Sequence, residues 1–215
     1  MESLLDELWS GILENVETLM QISLVSKFFL KVVRTGNYPS IKVYIKNQII
    51  LEHILDAYRF KNLDLSYTKI TDESVSRLAI AGCHTLNLRY TNITDESVSK
   101  LGGCHTLDLS GTHITDESVL KLAGCHTLYL SDTNITDESV SKLGGCHTLY
   151  LIGTKITDKS ASKLGGCHTL NLSYTKITDE SVCKLSGCHT LDLRKTKITD
   201  ESVCKLKNSG CRVIH

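Results

Sequence analysis

The stretch "CHTLDLSGTHITDESVLKLAG", residues 104–124, decides the fold of this chain. Leu107 and Leu109 alternate with polar residues, and a period of two predicts a β-strand. Thr115 then precedes an acidic pair, which is the pattern of an N-cap residue followed by carboxylates that a helix dipole favours. We therefore predict one short strand and one short helix within every 21 residues.

The same unit recurs along most of the chain. Ile-Thr-Asp begins a copy seven times, at Ile70, Ile93, Ile114, Ile135, Ile156, Ile177 and Ile198. Six Cys-His pairs stand 21 residues apart, at Cys83-His84, Cys104-His105, Cys125-His126, Cys146-His147, Cys167-His168 and Cys188-His189. A structural unit recurs at a fixed period whereas an active site occurs once, so the pattern indicates architecture. The longer first and last copies, "RLAIAGC" and "KLKNSGC", are interpreted as loop insertions.

Units of this size must stack, because one strand and one short helix cannot bury their apolar faces alone. Parallel strands about 4.8 Å apart would then line one side of a curved solenoid, and helices the other. On the helical side, Glu117 and Lys121 stand four residues apart in the order that favours an ion pair. The same spacing occurs at Glu73/Arg77, Glu96/Lys100, Glu138/Lys142, Glu180/Lys184 and Glu201/Lys205. Gly102 and Gly103 are expected to supply the positive φ that turns the chain toward the next strand.

The strand segment, C-x-x-L-x-L-x-x-T-x-I, resembles that of the leucine-rich repeat family in its cysteine-containing subclass. The resemblance implies an α/β leucine-rich-repeat solenoid, with parallel strands on the concave face and short helices on the convex face. Threonine stands where the family usually has Asn, and its hydroxyl can bond backbone groups of the turn. These residues are Thr68, Thr91, Thr112, Thr133, Thr154, Thr175 and Thr196. The near-identical tandem units are also similar to repeat proteins of giant amoeba viruses.

The clustered thiols and imidazoles raise the alternative of a chemical site. Cys104 alternates into the interior, where a thiol acts as a small apolar group. Adjacent Cys and His side chains point in different directions and cannot both bind one metal, although the histidine column could hold a metal between units. No strained nucleophile turn or oxyanion donor accompanies the Ser, His and Asp residues. We expect no catalytic residue, no metal and no cofactor, and we expect exposed free thiols at Cys183 and Cys204.

The copies differ at strand positions that face the concave side. Tyr129 and Tyr150 stand side by side in the middle of the array, with Ile152 close to them. Exposed aromatic residues ringed by polar groups are typical of a protein-binding hot spot, although Tyr also covers sheet surfaces that bind nothing. The candidate protein-binding residues are Arg89, Tyr90, Asp108, Tyr129, Asp132, Tyr150, Ile152, Tyr174 and Arg194.

Residues 1–35 have apolar residues at helical spacing, which predicts two or three short helices. Within them "LLDELWSGIL" and "LMQISLVSKFF" resemble the F-box, although Leu5 stands where that family has Pro. The resemblance implies docking on the adaptor of an SCF-type ubiquitin ligase through Leu4, Leu5, Glu7, Leu8, Ile12, Leu13, Leu24 and Val25. A helical cap that only covers the end of the solenoid is the alternative. Residues 36–59 resemble a degenerate capping repeat, which leaves seven repeats and a terminal strand in residues 60–215.

The two resemblances together imply a substrate-recognition subunit of an SCF-type E3 ubiquitin ligase, with an unknown target protein on the concave face. A leucine-rich-repeat scaffold without a ligase is the alternative. Lys and Arg total 24, as do Asp and Glu, so no basic field attracts nucleic acid or an anionic membrane. No apolar run approaches the roughly 20 residues that span a bilayer, and no signal peptide pattern occurs. We expect an intracellular protein, cytoplasmic or nuclear, in the host cell if its source is viral.

Overall fold

The computed structural model describes residues 43–44 and 62–215. The described strands form one parallel sheet in chain order. They are β1 (Val43–Tyr44), β2 (Asn62–Asp64), β3 (Thr85–Asn87), β4 (Thr106–Asp108), β5 (Thr127–Tyr129), β6 (Thr148–Tyr150), β7 (Thr169–Asn171), β8 (Thr190–Asp192) and β9 (Arg212–Ile214). From β2 onward, one helix separates each pair of consecutive strands. The helices are α1 (Asp72–Ala81), α2 (Asp95–Val98), α3 (Asp116–Val119), α4 (Asp137–Val140), α5 (Asp158–Ala161), α6 (Asp179–Leu185) and α7 (Asp200–Asn208).

The register of the sheet brings the same repeat position of neighbouring units side by side. Leu107 of β4 pairs with Leu128 of β5, which pairs in turn with Leu149 of β6. Because successive side chains of a strand point to opposite faces, every repeat position becomes a column that runs across the sheet. Columns that point inward form the core, and columns that point outward form a continuous surface.

The core consists of columns of Leu, Ile, Val and Cys side chains. In the unit quoted above, Cys104, Leu107, Leu109 and Ile114 are all buried. The predicted interior position of the thiol is therefore confirmed. Burial raises the pKa of Cys104 to about 11 and, with a contribution from the neighbouring thiols, that of Cys125 to about 12. Both thiols stay uncharged at neutral pH and pack as small apolar groups.

A threonine closes the turn after each strand of the repeat. Thr112 Oγ1 donates a hydrogen bond to the carbonyl oxygen of Leu109 at 2.6 Å. The equivalent bond forms at all seven threonine positions named above, with distances of 2.6–2.7 Å. The predicted bond between this hydroxyl and the backbone of the turn is confirmed.

An aspartate ladder, formed by the Asp of each Ile-Thr-Asp segment and its partners in the next unit, ties the helical sides together. Asp137 Oδ1 accepts hydrogen bonds from the Thr157 backbone N–H at 2.8 Å and from the Ser160 hydroxyl at 2.6 Å. Asp137 Oδ2 accepts from the Thr157 hydroxyl at 2.6 Å. Burial alone would raise the pKa of Asp137, but these hydrogen bonds outweigh burial and hold it below its usual value. Asp72, Asp95, Asp116, Asp158 and Asp179 also accept from the following unit.

Several helices are shorter than the sequence pattern predicts. Thr115 caps α3 as predicted, but the helix ends at Val119, so Lys121 lies beyond it and forms no ion pair with Glu117. Among the described residues, the predicted pairs form only in the two longest helices, at Glu73–Arg77 (2.9 Å) and Glu201–Lys205 (2.7 Å). The predictions at Glu96/Lys100, Glu117/Lys121, Glu138/Lys142 and Glu180/Lys184 are wrong. A helix of one turn is too short to hold residues four apart on the same face. In α6, which contains both Glu180 and Lys184, the pair does not form either.

The two insertions are helical, contrary to the prediction that they form loops. They extend α1 to Ala81 and α7 to Asn208. Gly82 and Gly210 follow these helices with φ values of 74° and 89°, the left-handed conformation that commonly ends a helix.

Gly102 and Gly103 do not have positive φ, so the role predicted for them is wrong. The short helix α2 ends several residues earlier, at Val98, and needs no left-handed residue at this point. A Cβ atom on Gly102 would lie 2.3 Å from the carbonyl oxygen of Lys121 in the next unit. This glycine therefore allows neighbouring units to stack closely.

The predicted N-terminal segments lie largely outside the described residues. Residues 1–35, which carry the F-box-like pattern, are not among them. Of residues 36–59, only β1 is described, and its Val43 pairs in parallel with Leu63 of β2. The helical F-box-like segment and the capping repeat remain predictions.

Candidate functional site

Three outward columns of the sheet form a surface, here called the sheet face, on which some side chains are exposed and others, such as Asn171 and Asp192, are buried. The three columns are the position between the two leucines of each strand segment, the position after the second leucine, and the next position. The first column contains Asp64, Asn87, Asp108, Tyr129, Tyr150, Asn171 and Asp192, and strand pairing sets them in this order. All nine predicted protein-binding residues lie on these three columns.

Tyr129 and Tyr150 lie side by side in the middle of the first column. Their ring centroids are 4.8 Å apart and the ring planes are inclined by 30°. Both side chains and Ile152 are half-buried. Burial, with smaller effects of Tyr150 and Asp108, raises the pKa of Tyr129, so its hydroxyl stays protonated and can donate. The pair offers continuous aromatic area, although less of it is exposed than the sequence pattern predicts.

The third column has an unusual backbone. Its residues have φ between 51° and 68° in all seven units: Tyr67, Tyr90, Gly111, Asp132, Gly153, Tyr174 and Lys195. Glycine adopts this left-handed conformation freely, whereas a bulky side chain there is strained by about 1 kcal/mol or more. Three tyrosines nevertheless occupy it, and they are the most exposed tyrosines of the described region, at 63%, 42% and 62% for Tyr67, Tyr90 and Tyr174. Glycine in two of the seven copies is the sequence signal for this conformation, which the strand pattern alone does not predict.

An aromatic cluster with one cation lies near the beginning of the array. The rings of Tyr67 and Tyr90 have centroids 5.1 Å apart. The Arg89 guanidinium carbon lies 5.0 Å from the centroid of the Tyr90 ring, within the range of a cation–π contact. A Cβ atom on Gly111 would lie 2.3 Å from a carbon of that ring, so the ring lies over this glycine. The cluster is therefore placed by both the strand register and the left-handed column.

Acidic residues on the sheet face have different surroundings. Asp192 accepts bonds from the Arg194 side chain at 2.6–3.1 Å and from Asn171 Nδ2 at 3.1 Å. Asp108 Oδ1 accepts from the Ser110 backbone N–H at 2.9 Å, while Asp132 is exposed. Arg194 is thus bound to a neighbouring carboxylate of its own sheet.

The family model of the leucine-rich repeat matches five segments of the chain, residues 60–79, 84–102, 105–123, 126–144 and 168–186. The described part of the chain is a leucine-rich-repeat solenoid. No curated protein matches the sequence of this chain significantly. The fold and the matched segments agree with the predicted parallel strands and short helices.

Two internalins of Listeria monocytogenes strain 4b F2365 are similar to the solenoid in structure. The crystal structure of InlF matches with a TM-score of 0.62 and 21% identity over 78% of this chain and 51% of that chain. The crystal structure of internalin C2 matches with a TM-score of 0.58 and 26% identity over 75% of this chain and 72% of that chain. The chain therefore spans about half the length of InlF. Leucine-rich-repeat folds of this type are suited to protein–protein interaction and are typically scaffolds rather than enzymes.

A column of histidines runs along the solenoid, and each histidine stands one residue before the start of a strand. Its members are His84, His105, His126, His147, His168 and His189, with neighbouring ring centroids 4.5–4.6 Å apart and planes within 10–13° of parallel. The Nδ1 atom of His126 lies 3.2 Å from the Thr127 hydroxyl, a contact repeated along the column. Desolvation and the adjacent imidazoles lower the pKa of His126. Among the described residues, no group of three or more His, Cys, Asp or Glu side chains is arranged to hold a metal ion.

The thiols of the solenoid divide into two kinds. Seven are buried in the cysteine column, and only Cys183 and Cys204 are exposed, as the sequence predicts. A thiol must ionise to act as a nucleophile, and burial raises the pKa of Cys146 to about 11. The Cys-His pairs of the solenoid are therefore not arranged as nucleophile and base.

The predicted adaptor-binding residues Leu4, Leu5, Glu7, Leu8, Ile12, Leu13, Leu24 and Val25 lie outside the described residues. In the part of the chain that the structure describes, no helix is long and apolar enough to cross a bilayer.

Proposed function

We propose that the leucine-rich-repeat solenoid binds a partner protein through its sheet face, with Tyr129 and Tyr150 at the centre of the interface. The paired tyrosine rings carry this proposal. They offer aromatic area that is already ordered by mutual contact, so a partner that covers them loses little side-chain entropy. Ile152 adds apolar area beside the pair, and the polar residues around it supply hydrogen bonds at the rim of the interface.

The sheet face has no chemistry of its own to perform on the partner. Its role is to hold the partner in one place and orientation, which a rigid parallel sheet does well. The inward columns keep this sheet fixed, because each unit is tied to the next by strand pairing and by the aspartate ladder. Affinity would come from the variable outward residues.

We further propose that the chain is the substrate-recognition subunit of an SCF-type ubiquitin ligase. The support is the F-box-like pattern of residues 1–35, with Leu4, Glu7 and Leu8 in its first part and Leu24 and Val25 in its second. These residues would dock on the ligase adaptor while the sheet face holds the target. Ubiquitin transfer would then be promoted by effective concentration, because target and ligating enzyme are tethered in one complex.

A binding assay with purified SCF adaptor tests the ligase role. We expect a complex at micromolar concentration, and we expect Leu8→Asp to abolish it because a charge would enter an apolar docking surface. Tyr129→Ala serves as the control, since it changes the sheet face and not the F-box-like segment, and it should leave adaptor binding intact. Absence of a complex with the wild-type chain removes the ligase role and leaves a leucine-rich-repeat scaffold.

A separate experiment tests the sheet face. Partners captured by the wild-type chain are compared, by quantitative mass spectrometry, with those captured by a Tyr129→Ala/Tyr150→Ala double variant. Lys142→Ala, an exposed change on the helical side, is the control. We expect the double variant to lose specific partners that the control retains. Equal capture by all three proteins would contradict binding through this face.

A further inference from the structure

Two arginines occupy the same repeat position on the sheet face but have different partners. Arg194 lies next to Asp192, two residues earlier, and binds its carboxylate through Nε and Nη2 at 2.6–3.1 Å. Arg89 has Asn87 two residues earlier, and Asn87 Oδ1 accepts only the Arg89 backbone N–H at 3.0 Å. Among the described residues, no carboxylate lies within 4.0 Å of the Arg89 guanidinium. The difference between Asp and Asn therefore leaves the Arg194 guanidinium paired with a carboxylate of the described sheet and the Arg89 guanidinium without one.

The Arg89 side chain is nonetheless held in place. Its guanidinium carbon lies 5.0 Å from the centroid of the Tyr90 ring, and the Tyr90 ring contacts that of Tyr67 with centroids 5.1 Å apart and planes inclined by 30°. The Tyr90 side chain also forms a hydrogen bond with this guanidinium. The remaining N–H donors of the planar group are still available, and their arrangement matches a carboxylate. Binding of a partner therefore costs little additional side-chain entropy at Arg89.

The tyrosines around Arg89 occupy backbone positions that are unfavourable for them. Tyr67 and Tyr90 have φ values of 58° and 51°, where glycine or aspartate stands in other units. Gly111 leaves the space that the Tyr90 ring fills. Strain of this kind persists where the side chain has a use, and exposed tyrosines beside a cation without a carboxylate partner are suited to recognition.

We propose that Arg89, Tyr67 and Tyr90 bind an Asp or Glu side chain of the partner protein together with an apolar residue adjacent to it. The carboxylate would pair with the Arg89 guanidinium and the apolar residue would cover the tyrosine rings. This inference rests on the proposed binding of a protein by the sheet face, and it specifies the chemistry of the partner.

The flanking carboxylates restrict the partner to one acidic group. Asp64 and Asp108 lie on either side of Asn87 in the first column of the sheet face. Asp64 Oδ1 is engaged by the Ser66 backbone and hydroxyl, at 3.0 and 2.7 Å, and Asp108 by the Ser110 backbone. Both would repel a run of negative charge. A single carboxylate beside an apolar side chain fits this electrostatic pattern better than an acidic tract does.

The chain itself suggests the variant that tests this proposal. Asn87→Asp recreates the Asp192–Arg194 arrangement and should pair Arg89 internally, without truncating any side chain. Arg89→Met removes the charge but keeps an unbranched side chain over the ring. Lys142→Met is the control, because it removes one exposed positive charge on the helical side, away from the sheet face. Thermal unfolding followed by circular dichroism verifies that each variant folds, and Arg89→Met decides the outcome if Asn87→Asp does not fold.

The probe is a random library of 12-residue peptides displayed on phage and selected on the immobilised wild-type chain. Enriched peptides are synthesised, and their dissociation constants are measured by fluorescence anisotropy. We expect Asp or Glu next to an apolar residue among them. We expect about tenfold weaker binding to Asn87→Asp and Arg89→Met, as for loss of one charge-assisted hydrogen bond, and unchanged binding to Lys142→Met.

Replacing the peptide's acidic residue with its amide should weaken binding to the wild type about tenfold but leave binding to Arg89→Met unchanged. The peptide carboxylate contributes to affinity only when the Arg89 guanidinium is there to pair with it. Peptides that need Tyr129 and Tyr150 yet bind Arg89→Met as well as wild type would overturn the inference and leave the proposed function standing. Failure to enrich any peptide on the wild-type chain would count against both.

Discussion

The aspartate ladder predicts a graded series of stability losses along the solenoid. Asp137 accepts three hydrogen bonds from the next unit, two from Thr157 and one from Ser160. Asp158 accepts two, from the Thr178 backbone and hydroxyl, because the Ser181 hydroxyl bonds the Thr178 carbonyl instead. Asp200 occupies the same position at the start of α7, but its side chain is 97% exposed. The three positions share a helix start and differ in the bonds that cross between units.

The expected losses follow from these bonds. A hydrogen bond to a charged group contributes roughly 1.5–3 kcal/mol, and partial exposure places the ladder at the lower end of that range. The freed Thr and Ser groups can reach water, so bonds are not fully additive. We expect Asp137→Ala to lower the free energy of unfolding by about 3 kcal/mol and Asp158→Ala by about 2 kcal/mol. Asp200→Ala should cause only a small loss, from the helix dipole and from the exposed contact of Asp200 Oδ1 with His215 Nδ1 at 3.6 Å.

Urea unfolding measured by circular dichroism gives the three values. The slope of the transition has to be compared as well, because an array of near-identical units can lose cooperativity when one interface between units is weakened. A loss for Asp200→Ala equal to that for Asp137→Ala would show that the aspartate acts within its own helix. In that case the bonds between units would not be the source of the stability.

Three further predictions concern the same solenoid. The ladder hydrogen bonds hold the pKa of Asp137 below its usual value, so the carboxylate stabilises the fold at pH values above its unfolded pKa of about 3.9. This stabilisation is lost as pH falls through the folded pKa. The urea concentration at the unfolding midpoint should therefore decrease when the pH is lowered below about 4, and it should decrease less steeply in Asp137→Asn. Gly165→Ala places a Cβ atom 2.0 Å from a carbonyl oxygen of the next unit and should cost about 2 kcal/mol or more in urea titrations, whereas Gly145→Ala meets no atom within 4 Å and should be neutral. A thiol reagent should modify only Cys183 and Cys204 in the native chain and all nine cysteines after unfolding, and modification of a third thiol under native conditions would contradict the buried column.

Features that depend on one unit alone could be predicted from the sequence. The alternation of Leu107 and Leu109 fixes a strand, and Thr115 fixes the start of a helix, because both patterns are local. The inward position of Cys104 follows from the same alternation. The fixed period then requires stacking, so the parallel sheet follows as well.

Features that depend on contact between units could not be predicted in the same way. Asp116 carries a charge favourable to its own helix, and nothing in its own unit shows that it binds Thr136 of the next. Gly102 is a residue type that is common at helix ends, but its role here is to leave room for the Lys121 carbonyl oxygen of the next unit. The exposed tyrosines of the third column depend on a left-handed backbone that strand periodicity does not encode.

The division between inward and outward columns also separates stability from binding in this chain. The buried leucines and the ladder residues are nearly identical from unit to unit, so each unit contributes the same stacking contacts. The sheet face varies between units, since the position between the two leucines is Asn87 in one unit, Tyr129 in another and Asp192 in a third. Because an exposed residue of the sheet face such as Arg89 contributes little to the core, substitutions of such residues should change affinity while leaving the unfolding midpoint nearly unchanged. A surface that can vary without cost to the fold is where a repeat protein acquires its partner, and the arginine that Asn87 leaves without a carboxylate partner is one such variation.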